Sequence, residues 1–210
     1  MFQLPRIYLA SKSPRRRELL DRIGVVYTLL SLRVDSTRGA DVDEQPLTGE
    51  APIDHVQRIA KLKASVAWGV MLARKLERRA VLAADTTVCI GDRILGKPLD
   101  SMDAKAMLRL LSGREHRVFT CVAIRLGDQR HAALSENTVR FRPIEEDEIE
   151  RYVQSGEPMD KAGAYAIQGL AQAFIPGIVG SYSGVMGLPL CETVDLLKRL
   201  SNDSRDRAAE

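Results

Sequence analysis

Apolar and polar positions follow one another along the chain in blocks that predict short strands and amphipathic helices. Apolar, β-branched runs predict strands at 7–10, 25–32, 81–90, 93–95, 116–126 and 132–141. Apolar residues spaced by three and four predict helices at 14–23, 52–78, 101–111, 143–156 and 189–200. Only Gly91 and Asp92 separate two of the strands, which is typical of a hairpin. The pattern therefore predicts a mixed α/β fold rather than a purely parallel one.

Capping and turn residues set the expected bounds of these elements. Ser13 and Ser101 are the expected N-caps of their helices, and Pro14 and Pro143 suit first helical positions. The polar stretch 35–50 contains glycine and proline, so we expect an exposed loop there.

Composition bounds the chain to one large domain or two small lobes. Of its 210 residues, 45% are hydrophobic but only 5% are aromatic, so aliphatic side chains must form most of the core. We expect a single domain over 1–200 and a polar C-terminal tail over 201–210. The 31 basic and 28 acidic side chains leave a net charge of +3, which gives only a slight preference for anionic partners.

The cysteines and the N-terminal segment indicate a reducing compartment. Cys89, Cys121 and Cys191 are far apart and odd in number, which is not typical of a disulfide framework. The first apolar stretch, 7–10, is too short for a signal-peptide core. No window approaches the roughly 20 apolar residues that a membrane helix needs. We therefore expect a cytoplasmic protein that has no membrane partner.

A basic turn joins the first predicted strand to the first predicted helix. The segment 11–14 leads directly into Arg15, Arg16 and Arg17. Backbone N–H groups at a helix N-terminus favour anions, whereas arginines in the first turn are mildly unfavourable for the helix itself. Arginine binds phosphate with paired N–H groups. Arginines at positions that do not favour the helix therefore suggest a phosphate site. A solvated basic surface turn would have the same sequence, and these residues alone do not separate the two interpretations.

An acidic residue interrupts the most apolar predicted strand. Asp85 lies within the run 81–90 and is followed by Thr86 and Thr87. A buried carboxylate needs a cation, a metal or hydrogen-bond donors to offset its lost hydration. A structural aspartate satisfied by backbone N–H groups or an arginine is the alternative. The hydroxyl residues beside it and the lysine motif that follows favour a functional site.

The segment after this strand matches part of the P-loop sequence motif. Residues 91–97 fit the pattern GxxxxGK, but Pro98 stands where a P-loop has Ser or Thr. Proline has no hydroxyl for Mg²⁺ and no N–H for phosphate, and the residues between the glycines suit a hairpin return strand. We reject the P-loop. Lys97 stays a candidate phosphate ligand, with a surface hairpin lysine as the alternative.

The remaining polar residues point to oxygen ligands for any metal. His55, His116 and His131 have no metal-binding spacing, and no cysteine has a local catalytic context. Any metal should therefore be a hard cation such as Mg²⁺ or Mn²⁺. The region 156–189 is rich in glycine, which permits close backbone approach to a ligand but also suits ordinary tight turns.

Several of these segments occur in an order that resembles the Maf family of nucleotide pyrophosphatases. The resemblance runs from about Ile7 to Leu197, nearly the whole chain. The matching segments are LASKSPRR at 9–16, DVDE at 41–44, RIAKLKA at 58–64, ADTTV at 84–88, LGKP at 95–98, DKAGAYAIQG at 160–169 and GLPL at 187–190. Several such motifs in the right order are far more specific than any one of them.

This resemblance implies a two-lobed α/β fold around a deep central cleft, similar to inosine triphosphate pyrophosphatases, and often a homodimer. It implies hydrolysis of a nucleoside triphosphate between its α- and β-phosphates, which yields a monophosphate and pyrophosphate. The details at 15–16, 85–86 and 167–169 resemble the branch that acts on dTTP and UTP. The sister branch, which resembles a 7-methyl-GTP pyrophosphatase, has other residues at those points.

The same resemblance implies roles for individual residues. Asp85 is the candidate general base, and Glu44 and Asp85 are candidate ligands of a divalent cation. The amide of Gln168 complements the imide N–H and carbonyl of uracil or thymine. The candidate residues for substrate binding and specificity are Ser11, Arg15, Arg16, Lys63, Thr86, Lys97 and Gln168.

The chain departs from the family pattern in places, and two other function classes stay open. Ala84 stands where glycine is frequent, Gly184 stands where asparagine is common, and the loop before Glu44 is longer than in some members. One alternative is a nucleic-acid-binding or regulatory module that uses the basic helix start; few aromatics and no long basic stripe count against it. The other is a kinase or phosphate-releasing NTPase, and Pro98 counts against that.

Overall fold

A mixed sheet lies at the centre of the structure, a computed structural model that describes residues 3–32 and 41–206, with side chains as far as residue 200. Within those ranges its strands are β1 (Ile7–Leu9), β2 (Tyr27–Leu29), β3 (Ala80–Ile90), β4 (Arg93–Leu95), β5 (Glu115–Leu126), β6 (Gln129–Arg140) and β7 (Gly177–Val179). The strand order is β2-β1-β3-β5-β6-β7, and β4 pairs with β3 off this path. β1 runs parallel to β2 and β3, whereas the other pairs are antiparallel. The predicted mixed α/β fold is confirmed.

Helices cover both faces of this sheet. They are α1 (Pro14–Arg22), α2 (Pro52–Ala73), α3 (Ser101–Leu111), α4 (Glu146–Gln154), α5 (Tyr182–Met186) and α6 (Leu190–Asp206). Short 3₁₀ turns occupy Glu157–Asp160, Ala162–Ala164 and Leu170–Phe174. The buried side chains of α2 pack in one hydrophobic cluster with one face of the sheet, and those of α1, α3, α4, α5 and α6 pack in a second cluster with the other face.

The alternation of side chains along β3 divides its residues between these two clusters. Leu82 and Ala84 pack with the larger cluster, whereas Val81 and Ala83 pack against α2. Since successive side chains of a strand point to opposite faces, the residue after Ala84 points toward α2 and the next one toward α1 and α5. This parity decides which helices face each polar residue of the strand.

Several predicted element bounds were wrong, each for a local physical reason. The helix predicted over 52–78 ends at Ala73, because Lys75 adopts a left-handed φ of 52°. The amide of Leu76 then donates to the carbonyl of Met71, which completes a Schellman-type end that glycine usually makes. The strand predicted over 25–32 is only three residues long, since β1 offers just three residues for pairing.

The predicted caps also need correction. Ser13 occupies the N-cap position of α1 without a capping bond, and instead its amide donates to Ser11 Oγ at 3.2 Å. Asp100, not Ser101, caps α3 by accepting from the amide of Asp103 at 2.8 Å. Pro143 precedes α4 rather than opening it, because a capping box between Glu145 and Glu148 starts the helix.

The last helix and the loop before α2 can also be compared with their predicted bounds. The helix predicted over 189–200 starts at Leu190 and continues to Asp206, beyond its expected end. The predicted loop 35–50 is irregular over the part that is described, residues 41–50, and its first residues lie outside the described ranges. Among the helices in those ranges, none has a stretch long and apolar enough to pass through a bilayer.

Candidate active site

The main cleft opens along an edge of β3 that neighbouring strands leave uncovered. β1 pairs with β3 only as far as Leu82, and β4 begins to pair at Val88. The opposite edge of β3 is paired with β5 without interruption from Val81 to Cys89. Residues 83–87 therefore border a gap between β1 and β4, and a cavity of about 360 Å³ opens there.

All the candidate site residues taken from the sequence line this one cavity. They are Ser11, Arg15, Arg16, Glu44, Lys63, Asp85, Thr86, Lys97 and Gln168. They come from the β1–α1 turn, the loop before α2, α2, β3, the residues after β4 and the glycine-rich segment. The structure thus brings the residues together, while their individual roles stay predictions.

Lys63 joins two carboxylates at the floor of the cleft. Its Nζ lies 2.8 Å from Asp85 Oδ1 and 2.9 Å from Glu44 Oε2. Asp85 faces α2 because of the strand parity, and Lys63 lies on the facing side of that helix. The side chains of Lys63 and Asp85 are only 14% and 11% exposed, so the ammonium provides the cation that a buried carboxylate requires. Glu44 is half-exposed at the mouth of the site.

Arg16 is fixed by a chain of hydrogen bonds on the other face of β3. Its Nε donates to the carbonyl of Gly187 at 2.8 Å, and its terminal nitrogens donate to Ser11 Oγ at 3.2 Å and Thr86 Oγ1 at 3.3 Å. Burial lowers the pKa of Arg16, and the charge of Asp85 opposes that shift. Arginine stays protonated at ordinary pH, so it places a fixed positive charge in the cleft.

The donors in this chain can be assigned because Thr120 has only one hydroxyl proton. Thr120 Oγ1 donates to the carbonyl of Gly184 at 2.8 Å and lies 3.0 Å from Thr86 Oγ1. Thr86 must therefore donate to Thr120, which leaves its oxygen as the acceptor for Arg16. The network connects α1, β3, β5 and α5, and it sets the direction of the guanidinium.

Further cations line the cleft with weaker partners. Arg15 Nη1 lies 4.0 Å from the exposed carboxylate of Asp160. Lys97 follows β4 and also lines the cavity. Sequence reasoning did not single out Lys12, Asp160 or Lys161, which line it too. Their position inside two of the motif segments was the available signal, but a motif alone does not show toward which side of the chain each charged side chain points.

The glycine-rich segment approaches the cleft because it packs tightly on the β3–β4 hairpin. The amide of Gly163 donates to the carbonyl of Gly96 at 3.0 Å. Gly163 has a φ of 71°, and a Cβ there would lie 2.8 Å from a methyl group of Val88. The hairpin itself confirms the rejection of a P-loop, since Arg93–Leu95 pairs back on β3 instead of wrapping a phosphate.

Gln168 contributes an unsatisfied acceptor to this wall of the cleft. Its Oε1 is buried and accepts no hydrogen bond from the described part of the chain. An orphaned buried acceptor is costly unless a ligand completes it. Gln168 also lines the cavity, so this unpartnered acceptor belongs to a residue of the cleft wall.

The cleft offers too few carboxylates to hold a metal ion with protein ligands alone. Within residues 3–32 and 41–206, no group of three or more His, Cys, Asp or Glu side chains is placed to hold a metal ion. Glu44 and Asp85 nevertheless converge on the single point that Lys63 Nζ occupies. Mg²⁺ commonly uses one or two carboxylates together with substrate phosphates and water, so this pair fits that mode of binding.

Comparison with known proteins agrees with the sequence motifs. A family model described as Maf-like protein matches residues 6–200. A dTTP/UTP pyrophosphatase of Dechloromonas aromatica (strain RCB) is 51% identical over 195 residues, which cover 93% of this chain and 97% of that protein. A dTTP/UTP pyrophosphatase of Nitrosomonas europaea is 54% identical over 192 residues, with 91% and 93% covered. The match to the solved structure of the Staphylococcus aureus Ham1 protein covers 65% of this chain and 71% of that chain at 14% identity, with a TM-score of 0.39.

Proposed function

This chain belongs to the Maf family, and on that premise we propose that it is a nucleoside triphosphate pyrophosphatase that hydrolyses dTTP and UTP. Relatives with that name are more than half identical over more than nine-tenths of the chain. The observation that carries the proposal is the composition of the cleft. It combines a paired carboxylate, several cations and an unsatisfied amide oxygen within one cavity.

The cations of the cleft would bind the triphosphate. Arg16 uses three of its five N–H groups on protein acceptors, which leaves two for a phosphate oxygen. Arg15 and Lys97 have no strong partner among the described residues, so their charge is available to the ligand. The helix N-terminus of α1 adds backbone N–H groups on the same side of the cavity.

Gln168 would read the base. Uracil and thymine present an imide N–H, for which the orphaned Gln168 Oε1 is the matching acceptor. Cytosine presents a bare ring nitrogen at the same position, so two acceptors would then face each other. Thr86 is kept from this role by its bonds to Arg16 and Thr120, and it serves the phosphate side instead.

Asp85 would act as the general base of the reaction. Lys63 Nζ binds its Oδ1, while its Oδ2 accepts no hydrogen bond from the described part of the chain. We propose that Oδ2 takes a proton from water as the water oxygen bonds to the α-phosphorus. The bond from that phosphorus to the bridging oxygen then breaks. Pyrophosphate leaves with the bonding electrons, and the surrounding cations stabilise its charge.

Glu44 and Asp85 would hold a divalent cation, Mg²⁺ or Mn²⁺, when nucleotide is bound. Such an ion supplies charge neutralisation at the phosphates. Since Lys63 Nζ already lies between the two carboxylates, replacing it with methionine should tighten Mn²⁺ binding in the absence of nucleotide. Titration of Mn²⁺ followed by electron paramagnetic resonance measures this without turnover. Unchanged affinity would count against a shared cation position.

Product analysis in labelled water tests the reaction itself. Incubation with UTP, dTTP, CTP or GTP and Mg²⁺ should give monophosphate and pyrophosphate, fastest with UTP and dTTP. In ¹⁸O-water the label should appear in UMP, because the attack is at the α-phosphorus. Release of UDP and inorganic phosphate would support a phosphate-releasing NTPase instead. Absence of any turnover would favour a binding module.

Three further parts of the proposal are supported by the sequence and its family resemblance. We propose a homodimer, and light scattering coupled to size-exclusion chromatography tests it. We also propose a cytoplasmic location without a nucleic-acid partner. Fractionation of cells that express the tagged chain tests the location, and gel-shift titration with single- and double-stranded DNA tests the last point.

A further inference from the structure

The carboxylate of Glu157 ties together the glycine-rich segment behind the cleft. Its Oε1 accepts from the hydroxyl of Tyr152 at 2.8 Å, and its Oε2 accepts from the amide of Leu170 at 3.0 Å. Tyr152 Oη in turn accepts from the amide of Ala166 at 3.3 Å. The backbone carbonyl of Glu157 accepts from Lys161 Nζ at 2.7 Å. Glu157 and Tyr152 thus bind this part of the chain at Lys161, Ala166 and Leu170.

These bonds fall on either side of Gln168. The amide of Ala166 lies two residues before it and the amide of Leu170 two residues after it, and both are bound by the Tyr152–Glu157 pair. Gly169, the next residue, has no side chain because the Glu157 carboxylate occupies that space; a methyl group there would overlap it. The backbone of Gln168 is therefore clamped at both ends by a single carboxylate–phenol unit.

Glu157 and Tyr152 themselves are not part of the cleft lining, whereas Gln168 is. Tyr152 is 3% exposed and packs in the larger hydrophobic cluster, so the helix α4 that carries it provides a rigid base. Burial raises the pKa of Tyr152, which keeps its phenol protonated and able to donate to Glu157. Any effect of this pair on substrate must therefore pass through the segment that it holds.

We propose that Glu157 is a positioning residue for nucleobase recognition, acting with Tyr152 to hold the Gln168 amide in place. The inference rests on the proposed reading of the base by Gln168. A glutamine side chain has three rotatable bonds, and its amide discriminates between bases only when its backbone and orientation are fixed. Loss of the clamp should leave phosphate binding intact and should reduce the difference in affinity between uracil and cytosine nucleotides.

Three substitutions remove the same contact in different ways. Glu157→Ala removes the carboxylate, and Tyr152→Phe removes only the hydroxyl and keeps the packing. Gly169→Ala displaces the carboxylate, which lies at the end of a flexible side chain. Glu150→Gln is the matched control, because Glu150 lies on α4 and its carboxylate binds the exposed Lys105 at 3.1 Å.

The measurement is the ratio of dissociation constants for UMP and CMP, with the ratio of kcat/KM for UTP and CTP beside it. Each of the three variants should lower the preference for the uracil nucleotide roughly tenfold, as loss of one well-placed hydrogen bond would. Affinity for CMP should change little. The double variant Glu157→Ala/Gly169→Ala should be no worse than either single one, since both remove one interaction.

Other outcomes are equally decisive. If both nucleotides lose affinity by the same factor, Glu157 is only structural and the inference is wrong. The inference also fails if the control variant loses discrimination to the same extent. Failure of the proposed function has a different signature, because a wild-type protein that yields no pyrophosphate can still be tested for binding of UMP and CMP.

Discussion

Because Asp85 is paired with Lys63, an Asp85→Asn substitution can test the role of its charge while its shape is kept. Asparagine at position 85 still offers an oxygen to Lys63 Nζ, but it loses basicity. We therefore predict that Asp85→Asn keeps its melting temperature and its nucleotide affinity. Its kcat should fall by roughly 10² to 10⁴, the usual effect of losing a general base. All three quantities are measured on one preparation.

Asp128→Asn is the control for this prediction. Asp128 is exposed in the turn between β5 and β6 and is absent from the cleft lining, so the same chemical change should alter none of these quantities. A lower melting temperature with normal turnover of the folded fraction would make Asp85 structural and leave Glu44 as the next carboxylate to test.

Arg15 and Arg16 are neighbours in sequence but differ in how much structure depends on them. Arg16 makes three hydrogen bonds within a buried network, whereas Arg15 has one 4.0 Å contact with an exposed carboxylate. We predict that Arg15→Ala lowers kcat/KM without changing the melting temperature, since exposed pairs contribute little to stability. Arg16→Ala should lower kcat/KM and also lower the free energy of unfolding by about 1–3 kcal/mol.

Arg22→Ala supplies the control on the same helix. Arg22 pairs with Glu18 on the exposed face of α1, so its loss should leave both activity and stability near their starting values. If Arg15→Ala proved as destabilising as Arg16→Ala while turnover stayed normal, the assignment of Arg15 to phosphate would be wrong.

At the scale of elements, α5 holds the position of Arg16 through its backbone, and Gly184 controls how closely α5 approaches the sheet. A Cβ at Gly184 would lie 2.6 Å from Ser135 Oγ and 3.0 Å from Asn137 Nδ2. These contacts leave no room for a larger side chain at this position. We predict that Gly184→Ala lowers the free energy of unfolding by about 1–3 kcal/mol, as overpacking does.

The same substitution should weaken catalysis, because α5 leads into the Gly187 carbonyl that accepts from Arg16. Ser135→Ala removes the atom in closest contact, so the double variant Gly184→Ala/Ser135→Ala should recover part of both losses. Urea titration and kcat/KM are measured for each single variant and the pair. A double variant that behaves as the sum of its parts would contradict a steric origin.

The elements also show where sequence reasoning reached its limit. Periodicity and motif order predicted every described helix except the short α5, as well as the hairpin and the set of residues in the cleft. They did not predict why the cleft lies beside residues 83–87, because that depends on where β1 stops and β4 starts along one edge of β3. The pairing of Lys63 with Asp85 and of Thr86 with Thr120 spans elements that are distant in sequence. Nor does a lysine at a helix end, such as Lys75, reveal a left-handed conformation.

At the scale of the whole molecule, two kinds of buried or paired group set the response of stability to acid. Hydrogen bonds from Arg58 hold the pKa of Glu50 at about 2, and those from Arg142 do the same for Glu148. Because both pKa values lie below the ordinary 4.5, their stabilisation is complete above pH 4.5 and is lost as pH falls toward 2. A different group must account for any loss of stability at higher pH.

His116 contributes to acid sensitivity in that higher range of pH. It is 2% exposed among Phe141 and Tyr165, and burial lowers its pKa from 6.5 to about 4. In the unfolded chain His116 therefore binds a proton below pH 6.5, whereas in the folded protein it binds one only below about pH 4. The effect of His116 on stability is absent above pH 6.5 and grows as pH decreases across that window, to a loss of roughly 3 kcal/mol.

We predict that His116→Gln removes most of the fall in unfolding free energy between pH 6.5 and about pH 5, because glutamine does not titrate and the paired glutamates act only at lower pH. Tyr165→Phe is the control: it removes the hydroxyl 2.8 Å from His116 Nε2 but leaves the histidine buried, so its slope should match the wild type. Urea titrations across this range give the slope for each protein. If His116→Gln retained the wild-type slope, the proton would have to bind elsewhere in the unfolded chain, and the buried histidine would have no part in acid sensitivity. If only Tyr165→Phe lost the slope, the hydroxyl rather than burial would set the pKa of His116.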